Sequence, residues 1–386
     1  MKIALIRQRY NPFGGAERFV DLALRALTAE GSTSVTLVTR AWETQETYIK
    51  CDPFYLGRTW RDWGFARAAR AATRAGFDLV QSHERIAGCD VFRAGDGLHV
   101  QWLANRARAS GALSNLAAGL SPWHRYTLAA ERQLFTNPRL RMVICNSRMV
   151  AHEARKHFGV DEAKLRVIYN GVDSARFHPA LKATQGIPLR RQLGIAAESF
   201  VFIFVGSGYQ RKGLPQALQA MAKLKPDTHL LVLGADRKLE TFKASAAARG
   251  LKERVHFAGP RHDIEAWYAA ADCFLLPTLY DPFPNATLEA MASGLPIITS
   301  TQCGAAELIE PARCGHACDA LDTATLTSYM AAMTKNKSAM MGESARTVAE
   351  KLTPENMINQ LTSLYRELLA ARWQPHDRLG LSSLFD

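Results

Sequence analysis

The sequence predicts an α/β fold: two doubly wound units, each a parallel sheet covered by helices, facing each other across a cleft. Three observations carry this. A chain of 386 residues is longer than one hydrophobic core usually serves. Short apolar runs alternate with helical ones, and each run ends in a polar or glycine-bearing turn, the pattern of parallel strands joined by crossovers. The alternation stops once, at residues 170–188, where two prolines and two glycines accompany little periodicity and read as a linker. The expected domains are therefore 1–180 and 181–359, with a C-terminal helix at about 360–386 packing back on the first.

In the first unit KIALIR is a strand that runs into NPFGGAER, and FVDLALRALTAEG has helical spacing and stops at Gly31. VTLVTR, FDLVQSH, MVICNS and LRVIYNG repeat the strand-then-turn theme. The second unit opens with SFVFIFVGSG as a strand and glycine turn, followed by GLPQALQAMAKL as a helix and HLLVLGA and VHFAGP as strands. IEAWYAAAD is a helix, CFLLPT a strand, NATLEAMASG a helix and PIITS a strand; from about residue 323 the chain reads as helical.

Composition is that of an ordinary globular protein, 47% apolar and 22% charged. No apolar run approaches the roughly 18 residues of a membrane span, and KIALIR is too short for a signal peptide, so a cytoplasmic protein, peripheral at most, is expected. Seven scattered cysteines suit a reducing compartment better than a disulfide framework. CGHAC (314–318) reads as a loop with at most three clustered ligands and no second pair, and no metal site is expected there. Charge is lopsided: residues 1–180 hold 26 Lys and Arg against 16 Asp and Glu, the remainder 22 against 20. Such a field points to a polyanionic partner: nucleic acid, an anionic membrane or a phosphorylated substrate. No nucleic-acid recognition module is visible, and the aromatics form no stacking series. RTWRDWGFARAARAATRAGF (58–77) sets Trp60, Trp63 and Phe65 among Arg58, Arg61, Arg67, Arg70 and Arg74, a pattern that fits either anionic headgroups or a helix packed on the sheet with its arginines in water.

Doubly wound sheets bind ligands at the carboxyl ends of their strands, and the glycine-bearing motifs fall there. The dinucleotide fingerprint fails, because Gly14 and Gly15 are adjacent and Arg211 stands where the third glycine after Gly206 and Gly208 belongs. Gly208 and Gly213 have the P-loop spacing but lead into Leu214 and Pro215, and no Asp-x-Asp is present. GYQRKG remains: Arg211 and Lys212 at a strand-to-helix turn suit a diphosphate without a metal, and equally suit a solvated surface loop. In LYDPFPNATLEAMASGLP, Asp281 stands before a helix that begins near Asn285 and carries Glu289 in its first turns; the N–H groups there favour an anion.

Taken together, PFGGAER, NGVDSARFHP, GSGYQRKG, FAGPRHDIEAWYAAAD and DPFPNATLEAMASGLPIITS resemble the retaining glycosyltransferases of family 4, which have the GT-B fold of two Rossmann-like domains. SHERIAGCDVFRAGDGLHVQWL is most like the lipopolysaccharide core α1,3-glucosyltransferases. The resemblance implies that Asp281 contacts the donor sugar and Glu289 the ribose. Arg211 and Lys212 would hold the diphosphate with the backbone of Gly15, Gly206, Asn285 and Ala286, and Arg261 and His262 would line a uracil pocket. Asp281 stands where the family usually has Glu. Asp96 would serve the acceptor hydroxyl, with His83 nearby. The implied activity is metal-independent transfer of a hexose from a UDP-sugar, UDP-glucose foremost, to a lipopolysaccharide core or similar glycolipid or oligosaccharide acceptor. Exopolysaccharide assembly and, further off, a sugar-nucleotide epimerase remain open.

Overall fold

A computed structural model of the chain describes residues 1–9, 33–41 and 48–370. The first sheet contains β1 (Lys2–Ile6), β2 (Ser34–Thr39), β3 (Tyr48–Lys50), β4 (Leu79–Ser82), β5 (Val91–Arg93), β6 (Met142–Cys145) and β7 (Leu165–Val167), in the order β3-β2-β1-β4-β5-β6-β7. Ile3, Ala4 and Leu5 of β1 are fully buried, as a strand covered on both faces requires. β1 pairs in parallel with β2 and β4 on its two sides, which makes it the point where the strand order reverses.

The second sheet is parallel throughout. Its strands are β8 (Phe200–Val205), β9 (Thr228–Leu233), β10 (Val255–Gly259), β11 (Cys273–Leu276), β12 (Ile297–Ser300) and β13 (Gly315–Cys318), in the order β10-β9-β8-β11-β12-β13. Residues 201–204 of the run FVFIF and the whole of CFLL form its fully buried centre. Here the order reverses between β8 and β11, so the loops leaving their carboxyl ends are neighbours.

By packing, the chain falls into two compact units. One comprises residues 1–93, 130–143 and the segment from 357; the other comprises 94–129 and 144–356. In the first, helix Pro354–Ala370 buries Tyr365, whose hydroxyl donates to Gln81 Oε1 at 2.8 Å.

Four readings of the sequence need correction. CGHAC is not a loop: Gly315–Cys318 is strand β13, Cys314 and Cys318 are buried, and His316 stacks on Tyr329 with centroids 4.5 Å apart. All seven cysteines are buried and none is in a disulfide, and among the described residues no group of three or more His, Cys, Asp or Glu is placed to hold a metal. Strands β3 and β5 were missed because three residues carry no periodicity. The stretch 170–188 is more ordered than a linker: a π-helical turn, Lys182–Gly186, leads into helix Ile187–Gln192. Gly186 allows that turn to approach the main chain of Ala269, whose oxygen would lie 2.2 Å from a Cβ, and Arg190 is buried against Asp272 at 2.6 Å. Finally, Phe65 does not share the exposed face of helix Gly57–Ala72; it is 1% exposed and packs in the core, whereas Trp60 and Trp63 are open to solvent.

Candidate functional site

The site begins at the carboxyl end of β8. Gly208, at φ +77°, turns the chain into a short helix, Tyr209–Lys212. Tyr209 roots this helix in the core: its ring is buried against Phe204 and Phe242, its hydroxyl donates to Gly234 O at 2.7 Å, and its amide donates to Asp236 Oδ2 at 2.7 Å. Burial pushes the Tyr209 phenol up to about 12, so it remains a neutral structural group at any working pH. Gly213 closes the turn at φ +84° against Pro277, whose carbonyl oxygen would lie 1.8 Å from any Cβ. Gly208 thus supplies the left-handed turn and Gly213 the close approach of two backbones, which brings Arg211 and Lys212 to the loop leaving β11.

On that loop, Lys212 Nζ donates to Asp281 Oδ2 in a close ion pair, and both residues are buried. Arg211, about two-fifths exposed, places Nη1 3.0 Å from Tyr280 O and 3.7 Å from Asp281 Oδ2. The Arg211 carbonyl in turn accepts from Leu279 N at 2.8 Å. Gly206 lies under this arrangement, where a Cβ would sit 3.1 Å from Lys212 Cε. Asp281 is held from behind, since its amide donates to Gln302 O and its carbonyl accepts from Gly304 N. Two cations and one carboxylate form a charge cluster in which Lys212 and Asp281 are withdrawn from water, where the low-dielectric surroundings strengthen their attraction, while Arg211 keeps contact with solvent.

Helix Asn285–Ala292 follows with Pro284 as N-cap and no capping side chain. Asn285 Oδ1 accepts from Asn170 Nδ2 at 2.7 Å. Glu289 is buried with Oε2 2.9 Å from the Tyr268 hydroxyl, which also lies 3.2 Å from Ala286 O. The Glu265 carboxylate, and more weakly Glu289, raise the Arg176 guanidinium's affinity for its proton. Thr287, one residue beyond Ala286, has its hydroxyl buried without a hydrogen-bond partner. Arg261 and His262 are exposed ahead of helix Ile264–Ala269; Arg261 grips Asp263 through two bonds of 2.8 Å and lies 5.4 Å from the Trp267 ring centroid. That grip holds the Asp263 carboxyl below the usual carboxylate range.

Asp96 is exposed on a turn closed by Gly97 N to Ala94 O at 3.1 Å, in the same compact unit as Arg211, Lys212 and Asp281. His83 belongs to the other unit; it is buried at the end of β4 with Nε2 3.0 Å from Gln81 Nε2. Gly15 lies outside the described residues. The geometry therefore gathers Gly206, Arg211, Lys212 and Asp281, and sets Asn285, Ala286 and Glu289 on the adjoining helix. Sequence reasoning overlooked Tyr280 and Glu153, which join the Asp96 turn to this cluster: the Tyr280 hydroxyl donates to Glu153 Oε2 at 2.6 Å and accepts from Leu98 N at 2.9 Å. Nothing in a Leu-Tyr-Asp run marks the tyrosine out.

A pair of doubly wound sheets with a cationic turn beside a helix N-terminus has the architecture of a nucleotide-handling transferase. Residues 13–176 match the family described as Glycosyltransferase Family 4, and residues 187–348 match the family described as Glycosyl transferases group 1. The chain belongs to these glycosyltransferases. It is 27% identical over 333 residues, 82% of this chain and 84% of that protein, to the lipopolysaccharide glucosyltransferase WaaG of Escherichia coli K12. Among solved structures, the crystal structure of WaaG superposes with a TM-score of 0.81 at 23% identity, covering 94% of this chain and 99% of that one. The UDP-glucose complex of HepE from Anabaena superposes with a TM-score of 0.70 at 20% identity, covering 95% and all of that chain. The fold is thus GT-B.

Proposed function

We propose that the protein is a retaining, metal-independent hexosyltransferase that uses a UDP-sugar, UDP-glucose foremost, and glycosylates a lipopolysaccharide core or a closely similar glycolipid. The observation that carries this reading is the junction of Arg211, Lys212 and Asp281 at the switch point of the second sheet. Two cations there suit a leaving diphosphate, and an adjacent carboxylate suits sugar hydroxyls. The names of the relatives support the donor and acceptor: WaaG is a lipopolysaccharide glucosyltransferase, and HepE was crystallised with UDP-glucose.

In the reaction the bond from C1 of the sugar to the diphosphate oxygen breaks while the acceptor oxygen bonds to C1 from the same face. Positive charge grows on the sugar ring and negative charge on the departing phosphate. Arg211, Lys212 and the N–H groups at Asn285 and Ala286 stabilise the phosphate, which in a metal-assisted enzyme is a cation's task. Asp96 orients the acceptor hydroxyl, and its proton passes to the departing phosphate oxygen. Glu289 holds the ribose, Arg261 and His262 flank the base, and Gly15 and His83 keep the roles the resemblance implies.

The glycolipid is met at the cytoplasmic face of an anionic membrane. No helix among the described residues is long and apolar enough to cross a bilayer. Phe54, Leu56, Trp60 and Trp63 are nonetheless exposed within ten residues of one another, and exposed Arg67, Arg70 and Arg74 continue the stripe of Trp60 and Trp63 along helix Gly57–Ala72 and just past its end. Interfacial aromatics beside arginines match the boundary between acyl chains and anionic headgroups.

Incubation with UDP-glucose and a truncated core glycolipid in EDTA tests the reading. An α-linked product by NMR is the expected outcome; a β-linked product, or strict dependence on added divalent cation, would contradict it.

A further inference from the structure

Tyr280 touches both sides of the chemistry proposed above. Its main-chain carbonyl accepts from Arg211 at 3.0 Å, and Asp281 follows it directly. Its side chain, 2% exposed, reaches the Asp96 turn instead. A carboxylate can only accept, so the phenolic proton is committed to Glu153 Oε2 at 2.6 Å, and an oxygen lone pair is left for the Leu98 amide at 2.9 Å. The ring packs on Gly97, where φ is +69° and a Cβ would lie 2.4 Å from the phenol oxygen and 2.6 Å from Pro282 Cγ. On the other flank of the turn, Asn146 Nδ2 donates to Gly95 O at 3.1 Å. Asp96 is thereby exposed between two anchored neighbours.

We infer that Tyr280 is the positioning residue that sets the acceptor-side Asp96 in register with the donor-side Asp281, and that Glu153 orients its hydroxyl for the purpose. A misplacement of about 1 Å between reacting groups can cost on the order of a hundredfold in rate, which gives such an anchor its value. The inference rests on the roles proposed for Asp96 and Asp281, and nothing in it requires Tyr280 to touch a substrate.

Tyr280→Phe removes one oxygen and keeps the ring on Gly97. Three measurements on the full chain test the inference: UDP affinity, transfer kinetics, and hydrogen exchange at the Leu98 amide. We expect UDP affinity within about twofold of wild type, turnover down by roughly tenfold or more, and exchange at Leu98 faster by about tenfold or more. In a double-mutant cycle, adding Tyr280→Phe to Asp96→Asn should lower turnover by no more than about twofold further, because both changes disable one device. Glu153→Gln, whose amide oxygen still accepts, should recover most of the turnover lost in Glu153→Ala. Wild-type turnover in Tyr280→Phe, losses that multiply with Asp96→Asn, or unchanged exchange at Leu98 would each overturn the inference while leaving the donor site intact. Failure of the wild-type protein to bind UDP would instead overturn the function on which the inference rests, and the inference with it.

Discussion

Lys212 and Asp281 form a buried ion pair between a short helix and a loop that follow neighbouring strands of one sheet. A buried pair is weak evidence for stability, since well-packed apolar residues often do as well, whereas loss of one partner strands the other's charge. Lys212→Ala should therefore lower turnover by about a hundredfold or more, and should destabilise the fold by about 3–5 kcal/mol. Lys212→Met with Asp281→Leu should restore most of the stability and none of the activity. Urea melts beside progress curves check this; near-normal turnover in Lys212→Ala would remove the lysine from the chemistry.

Glu289 is buried one turn into its helix, beside Tyr268. If it binds ribose, Glu289→Ala should weaken UDP binding by about tenfold or more, the scale of a hydrogen bond to a charged group. An unchanged dissociation constant would reduce Glu289 to a packing residue.

Acid should destabilise the fold through histidine. Burial lowers the proton affinity of His229, His256 and His316 below the ordinary value of 6.5, and the first two lie 3.1 Å apart. The unfolded chain then takes up protons first, so stability is full above about pH 6.5 and is lost as pH falls from there through the folded values. The urea midpoint should fall between pH 7 and 5, and the fall should be smaller in His229→Gln, His256→Gln. An identical slope in that variant would assign the acid sensitivity elsewhere.

Membrane contact has its own signature. Trp60→Ala with Trp63→Ala should cut binding to vesicles containing anionic lipid by about tenfold or more, and Arg67, Arg70 and Arg74 changed to Gln should abolish the dependence on anionic content. Binding indifferent to anionic lipid would make the stripe a solvated helix face.

Much of the fold was legible because buried parallel strands are nearly unbroken apolar runs, as FVFIF and CFLL are. The strand Gly315–Cys318 was not, because its glycine and histidine mimic a loop and only pairing with β12 makes it a strand. Phe65 was misplaced because an arginine-rich helix hides which aromatic turns inward. At the site, charge and spacing single out Arg211, Lys212, Asp281 and Glu289 without separating a binding turn from a solvated loop, and their roles come from the family resemblance. Their meeting depends on β8 and β11 being adjacent, which is a property of topology. Tyr280 acts through contacts 127 and 182 residues away in the chain, and no local pattern encodes those.

The central claim is a metal-free diphosphate site built on Arg211 and Lys212. Calorimetric titration of UDP in EDTA, into the wild-type protein and into Arg211→Ala, Lys212→Ala, tests it most directly. Metal-free binding that the double variant loses is the predicted result; no binding, or binding indifferent to the substitutions, would contradict the account.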